Sequence, residues 1–104
     1  MDKYKINISD LAKQDIMRMK EYISNDLLEP VIAVNTTDAV LDAITTLEEM
    51  PDRIGLVKDE RLAEKGIRPL HVKNYTVFFR VDASAKIVDV VRVVYSRRDW
   101  ASLL

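Results

Sequence analysis

Two hydrophobic periods, one after the other, constrain this chain more than any other feature. From residue 10 to residue 50 apolar side chains recur at steps of three and four: Ala12, Ile16, Met19, Ile23 and Leu27, then Ala33, Val40, Ile44 and Leu47. From residue 67 onward the step becomes two, as in Tyr75, Val77, Phe79 and Val81, or the run is continuous and β-branched, as in Ile87 to Val94. The first spacing puts one stripe of a helix into a core. The second puts one or both faces of a strand there.

Local signals set the boundaries. Ser9 offers an N-cap and Asp10 sits where the helix dipole favours an anion, so a helix is expected over about Asp10 to Leu28. Pro30 breaks that run and suits the first turn of a second helix, expected over Val31 to Met50 and ended by Pro51. So short a connection makes the pair an antiparallel hairpin. Before it, Tyr4, Ile6 and Ile8 alternate as a short strand with one buried face. After it, residues 51–66 are charged and read as a loop with one helical turn around Asp59 to Glu64.

Three strands complete the pattern. Ile67 to Val72 is the first, and Pro69 weakens it or places it at an edge. Lys73-Asn74 is a tight turn. Tyr75 to Val81 follows, with Thr76, Phe78 and Arg80 on the face away from Tyr75, Val77, Phe79 and Val81. Asp82 to Ala85 reads as a four-residue turn, and Ile87 to Val94 as a central strand. Ser96 to Leu104 is a short helix or tail, with Trp100 as its core anchor. The sum is an α+β domain over residues 1–104 in the order β-α-α-β-β-β, an antiparallel sheet packed by a helical hairpin.

Composition removes several function classes. With no cysteine and a single histidine, His71, the chain has neither a disulfide framework, nor a thiolate nucleophile, nor a metal site of the usual ligands, so no cofactor is expected. No apolar run approaches the ~20 residues of a membrane span, and no charged start precedes an apolar segment, so a cytoplasmic protein is expected. The net charge of -1 hides an asymmetry. Residues 1–62 carry 8 Lys+Arg against 13 Asp+Glu, a balance of -5, and residues 63–104 carry 8 against 4, a balance of +4. An anionic partner would therefore meet the C-terminal part.

That part also carries a resemblance. Gly66-Ile67-Arg68-Pro69-Leu70-His71-Val72, Asn74-Tyr75-Thr76-Val77-Phe78-Phe79-Arg80-Val81-Asp82 and Val91-Arg92-Val93-Val94-Tyr95-Ser96-Arg97-Arg98-Asp99 follow one another in order. Leu11-Ala12, Asp15, Tyr22-Ile23, Pro30 and Ala43 to Leu47 agree in the first half. Together they resemble the RelE/ParE superfamily, the toxins of type II toxin–antitoxin systems. The resemblance implies a growth-arresting toxin of a plasmid-stabilisation module, neutralised by a cognate antitoxin through which the complex binds operator DNA. It implies one of two targets. ParE-like members poison DNA gyrase. RelE-like members cut mRNA on the ribosome without a metal, as endoribonucleases.

Metal-independent RNA cleavage needs a base, an acid and cations on the phosphate. His71, Arg92 and Tyr95 are the candidates for such roles. Arg68, Lys73, Arg80, Arg92, Arg97 and Arg98 are the candidates for phosphate or target binding, since arginine grips oxyanions bidentately. A symmetric turn at 82–85 would set Val81 opposite Ile87, Thr76 opposite Arg92 and Arg80 opposite Val88, placing both arginines on one face with Phe78, Val90 and Val94. RelE-like nucleases often carry an arginine after the central tyrosine, where this chain has Thr76. That departure favours the ParE side. A third class, a non-toxic module that binds only a protein partner, is also compatible with the basic half.

Overall fold

The structure, a computed structural model, describes residues 3–98 and 102–104. The expectation for Trp100 lies outside them. The elements are β1 (Lys5–Ile8), α1 (Asp10–Glu21), a π-turn (Tyr22–Asp26), α2 (Pro30–Thr45), two 3-10 turns (Thr46–Glu48 and Pro51–Arg53), α3 (Glu60–Glu64), β2 (Arg68–Val72), β3 (Tyr75–Asp82) and β4 (Ile87–Tyr95). The α+β class and the element order are those expected.

The helix ends follow side-chain chemistry. Ser9 Oγ accepts the Ala12 N–H at 3.0 Å, and Asp59 Oδ1 accepts the Leu62 N–H at 3.1 Å, each satisfying an orphan donor of a first turn. Pro30 stands in the first turn of α2. One expectation fails at the end of α1: Ala12, Ile16, Met19 and Ile23 are buried, but Leu27 is 51% exposed. The cause is the π-turn, in which the Leu27 N–H reaches back to the Tyr22 carbonyl at 3.0 Å, lengthening one turn by a residue. That rotates Leu27 off the stripe. Leu28 follows with φ 56, left-handed and 78% exposed.

The sheet order is β1-β4-β3-β2. The three C-terminal strands form the expected antiparallel meander, with β2 at an edge. The first strand differs from the all-antiparallel expectation, since β1 runs parallel to β4. A strand that reaches its neighbour only after a helical crossover can lie parallel to it.

Helices α1 and α2 and the turn after α2 cover one face of the sheet, burying Ala12, Ile16, Ala33, Val40, Ile44 and Leu47 against Val77, Phe79, Val88, Val90 and Val93. The opposite face is covered as well. Val57, Leu62, Ile67, Phe78 and Val94 bury one another there, with Leu103 and Leu104 packed against them. Segment 54–67 is thus a second layer.

The β3–β4 register also departs from expectation. Asp82 pairs with Ile87, Val81 with Val88 and Arg80 with Asp89, one residue off the symmetric-turn reading. The reversal uses residues 83–86: Asp82 Oδ1 accepts the Ala85 N–H at 3.0 Å and Lys86 closes the turn at φ 57. A bulge between Phe78 and Phe79 then passes over Val91 and sets Arg92 opposite Phe78, not opposite Thr76. A bulge changes the facing of all residues beyond it. The offset at the turn alone puts Val88 and Val90 in the helix-covered core, and the bulge then returns Arg92 to the face of Phe78, which Arg80 shares two residues along β3.

Candidate functional site

A strand four residues long cannot cover a strand of nine, so β4 outruns β1 after Val90. Its uncovered edge would expose backbone donors and acceptors. α1 supplies the cover with side chains. Ser9 Oγ donates to the Val91 carbonyl at 2.9 Å, and Asp15 Oδ2 accepts the Val93 N–H at 3.0 Å. The same carboxylate takes Arg92 bidentately: Nε to Oδ2 at 2.7 Å and Nη2 to Oδ1 at 2.9 Å. Arg92 Nη1 donates further to the Leu103 carbonyl at 3.3 Å. With side chains only 17% and 10% exposed, the pair is a partly buried fork-to-fork bridge. Hydrogen bonding to Asp15 raises the pKa of Arg92 and outweighs the burial that opposes it.

Beside this bridge opens a groove of about 1070 Å³. Its walls are Arg18, Met19 and Tyr22 of α1, Ile32, Asn35 and Thr36 of α2, the β2–β3 turn with Lys73 and Asn74, and Tyr75, Tyr95 and Arg98 at the end of the β3–β4 hairpin. Tyr75 and Tyr95 face each other across the ladder, their rings edge to face with centroids 5.7 Å apart. The Tyr75 hydroxyl is raised above the ordinary tyrosine range, first by burial and then by Tyr95 and Tyr22. It therefore keeps its proton and can donate. Among the described residues four cations (Arg18, Lys73, Arg92 and Arg98) line the groove against one carboxylate, Asp15. Apolar and aromatic walls under a cationic rim suit a segment that is anionic and carries apolar side chains.

The groove gathers some of the expected residues and not others. Lys73, Arg92, Tyr95 and Arg98 line it. Arg68 does not: its guanidinium donates to the carbonyls of Ile54 at 2.5 Å and Asp52 at 3.5 Å, tying the edge strand to the loop before it. Arg80 is exposed on β3 opposite Asp89, and Arg97 is exposed in the turn after β4. His71 stands apart too. Its Nδ1 lies 3.1 Å from Thr76 Oγ1, which lies 2.8 Å from Ser96 Oγ. Thr76 is buried and has one proton to give, so the three groups form a one-way hydrogen-bond chain whose direction the histidine tautomer sets. Among the described residues no cluster of His, Asp and Glu could hold a metal.

Sequence reasoning passed over Arg18, Tyr22 and the role of Asp15. A signal existed. Asp15, Arg18 and Tyr22 follow at steps of three and four, a polar stripe flanking the apolar stripe of α1, on the side that faces β4.

The comparisons with known proteins bear on this fold and groove. Residues 6–100 match the family model described as ParE toxin of type II toxin-antitoxin system, parDE. A search of the curated proteins finds no match. Among solved structures the chain is similar to one from the chromosomal ParDE toxin–antitoxin system of P. aeruginosa, with a TM-score of 0.72 and 16% identity over 88% of this chain and 95% of that one. It is similar to one from the RelBE2 toxin–antitoxin complex of Mycobacterium tuberculosis, with a TM-score of 0.64 and 20% identity over 89% and 98%. It is similar to a free mutant of the E. coli toxin RelE, with a TM-score of 0.66 and 8% identity over 97% and 92%. These likenesses concern the fold, whereas the family model spans nearly all of the chain, from β1 past β4. The chain with its capped β4 edge and cationic groove therefore belongs to the ParE toxin family of type II toxin–antitoxin systems.

Proposed function

We propose that this chain is a growth-arresting toxin that acts on DNA gyrase by protein contact, and that an acidic, partly apolar segment of a cognate antitoxin silences it by filling the groove. The observation that carries the reading is the division of the groups that RNA cleavage would need. Arg92 and Tyr95 line the groove, Arg92 is already committed to Asp15, and His71 is engaged by Thr76 outside it. A base and an acid that do not face one site cannot share one scissile bond. The threonine at position 76 adds to this, since it is spent on Ser96 and His71 and holds no phosphate. Gyrase poisoning asks nothing of this kind from the toxin. Both partners, and the operator DNA that the antitoxin would carry the complex to, belong to the cytoplasm.

Purified chain added to gyrase at micromolar concentration is expected to block supercoiling, and Lys73→Glu/Arg98→Glu to weaken antitoxin binding. Untouched supercoiling would sink the gyrase reading. The second reading, a ribosome-dependent endoribonuclease, is favoured by the His71–Thr76–Ser96 chain, a candidate proton path. Transcripts cut on translating ribosomes, and left whole by the His71→Ala variant, would establish it instead.

A further inference from the structure

Helix α2 has two opposite characters. Its inward side buries Ala33, Thr36, Thr37, Val40 and Ile44. Its outward side combines exposed apolar residues, Val31 at 70%, Val34 at 46% and Leu41 at 41%, with the exposed carboxylates Asp38 and Asp42. On a helix of 3.6 residues per turn these five positions share one face. Glu29, also exposed, stands at the entry to that face. The surrounding sequence sharpens the contrast. Residues 21–52 hold eight acidic residues and no lysine, arginine or histidine. Nothing in the helical hairpin after α1 can neutralise this surface from within its own sequence.

An exposed face of this kind needs a reason. Solvated helix faces ordinarily mix both charge signs and few branched aliphatics. Here apolar side chains and a single charge sign alternate. The antitoxin segment assigned to the groove is acidic, so the same chemistry would be repelled from α2, as would nucleic acid and anionic lipid.

We infer that the outward face of α2 is a second docking surface, separate from the groove, for a basic amphipathic helix of a protein partner. The partner lays aliphatic residues spaced three and four apart over Val31, Val34 and Leu41, and its lysines or arginines meet Glu29, Asp38 and Asp42. Helix-on-helix packing supplies the contact, and the one-signed charge selects the partner. This inference does not rest on the gyrase reading.

The test uses the full chain and a synthetic helix of leucine and lysine with leucines at heptad spacing. Amide chemical shifts are expected to move along residues 29–45 and not around Tyr75 and Tyr95. Asp38→Lys/Asp42→Lys should weaken binding by about tenfold or more. Val34→Ser should weaken it without altering its salt dependence. Both changes are at exposed positions, and far-UV circular dichroism checks that the variants remain folded. Shifts centred on the groove would overturn the inference. So would equal binding of a leucine–glutamate helix, or no effect of the charge reversal. Self-association of the chain that the charge reversal abolishes would identify a second copy as the occupant and overturn it as well.

Discussion

At the scale of single residues, Asp15 does three jobs at once. It closes the β4 edge at Val93, it neutralises Arg92, and it fixes how far that arginine reaches into the groove. Removing one member of a partly buried ion pair costs more than removing both, because the survivor is left desolvated and unpaired. Asp15→Ala is therefore expected to lose about 2–4 kcal/mol in urea unfolding. Asp15→Leu/Arg92→Met should recover much of that loss, since an apolar pair of similar volume suits the site. If the double variant is as unstable as Asp15→Ala, the loss comes from the uncapped Val93 N–H and not from an orphaned Arg92. Arg92 was read from sequence as a free cation for an anion, and its partner was missed for a physical reason. The pair spans the whole chain, and which way Arg92 points depends on a bulge that no alternation pattern encodes.

At the scale of elements, the helices and strands were legible because their periods are long and clean. The core faces of α2 and β3 are those the spacing assigns, down to Thr76 and Phe78 turning away from Val77 and Phe79. Illegible were the places where one residue is gained. The π-turn at Tyr22–Asp26 throws Leu27 outward, the bulge at Phe78/Phe79 moves Arg92 from Thr76 to Phe78, and the β3–β4 turn sits one residue late. Each offset is an insertion into a period, and periodicity reads through it. The candidate site suffered most, because it is assembled at the π-turn end of α1 and the bulged end of β4. Leu28, just after the π-turn, takes a left-handed conformation that a leucine pays for and a glycine does not. With its side chain 78% exposed, there is little packing to lose. Leu28→Gly is expected to leave stability unchanged or raise it by about 0.5 kcal/mol, the strain relief partly offset by unfolded-chain entropy. A loss of about 1.5 kcal/mol or more in thermal unfolding would show that Leu28 makes a contact of consequence.

At the scale of the whole molecule, charge and connectivity are arranged in halves. Acidic residues dominate the helical hairpin and basic ones the meander, and the groove lies on the seam between them. Neither half owns a complete core: Ala33, Val40 and Ile44 on one side share a single cluster with Val77, Phe79 and Val88 on the other. Fragment 1–66 is thus expected to show weak helical signal and no cooperative melt, and to gain both on mixing with fragment 67–104. A sharp melt of fragment 1–66 alone would show that the hairpin is an independent folding unit. The parallel pairing of β1 with β4 carries this furthest. The first strand waits for the last one, so a chain still emerging from the ribosome has neither the Asp15–Arg92 bridge nor the groove. A toxin built this way has no complete groove until β4 has been made and has paired with β1. On the function proposed above, the surface an antitoxin would fill and the toxin it would silence are completed in one step.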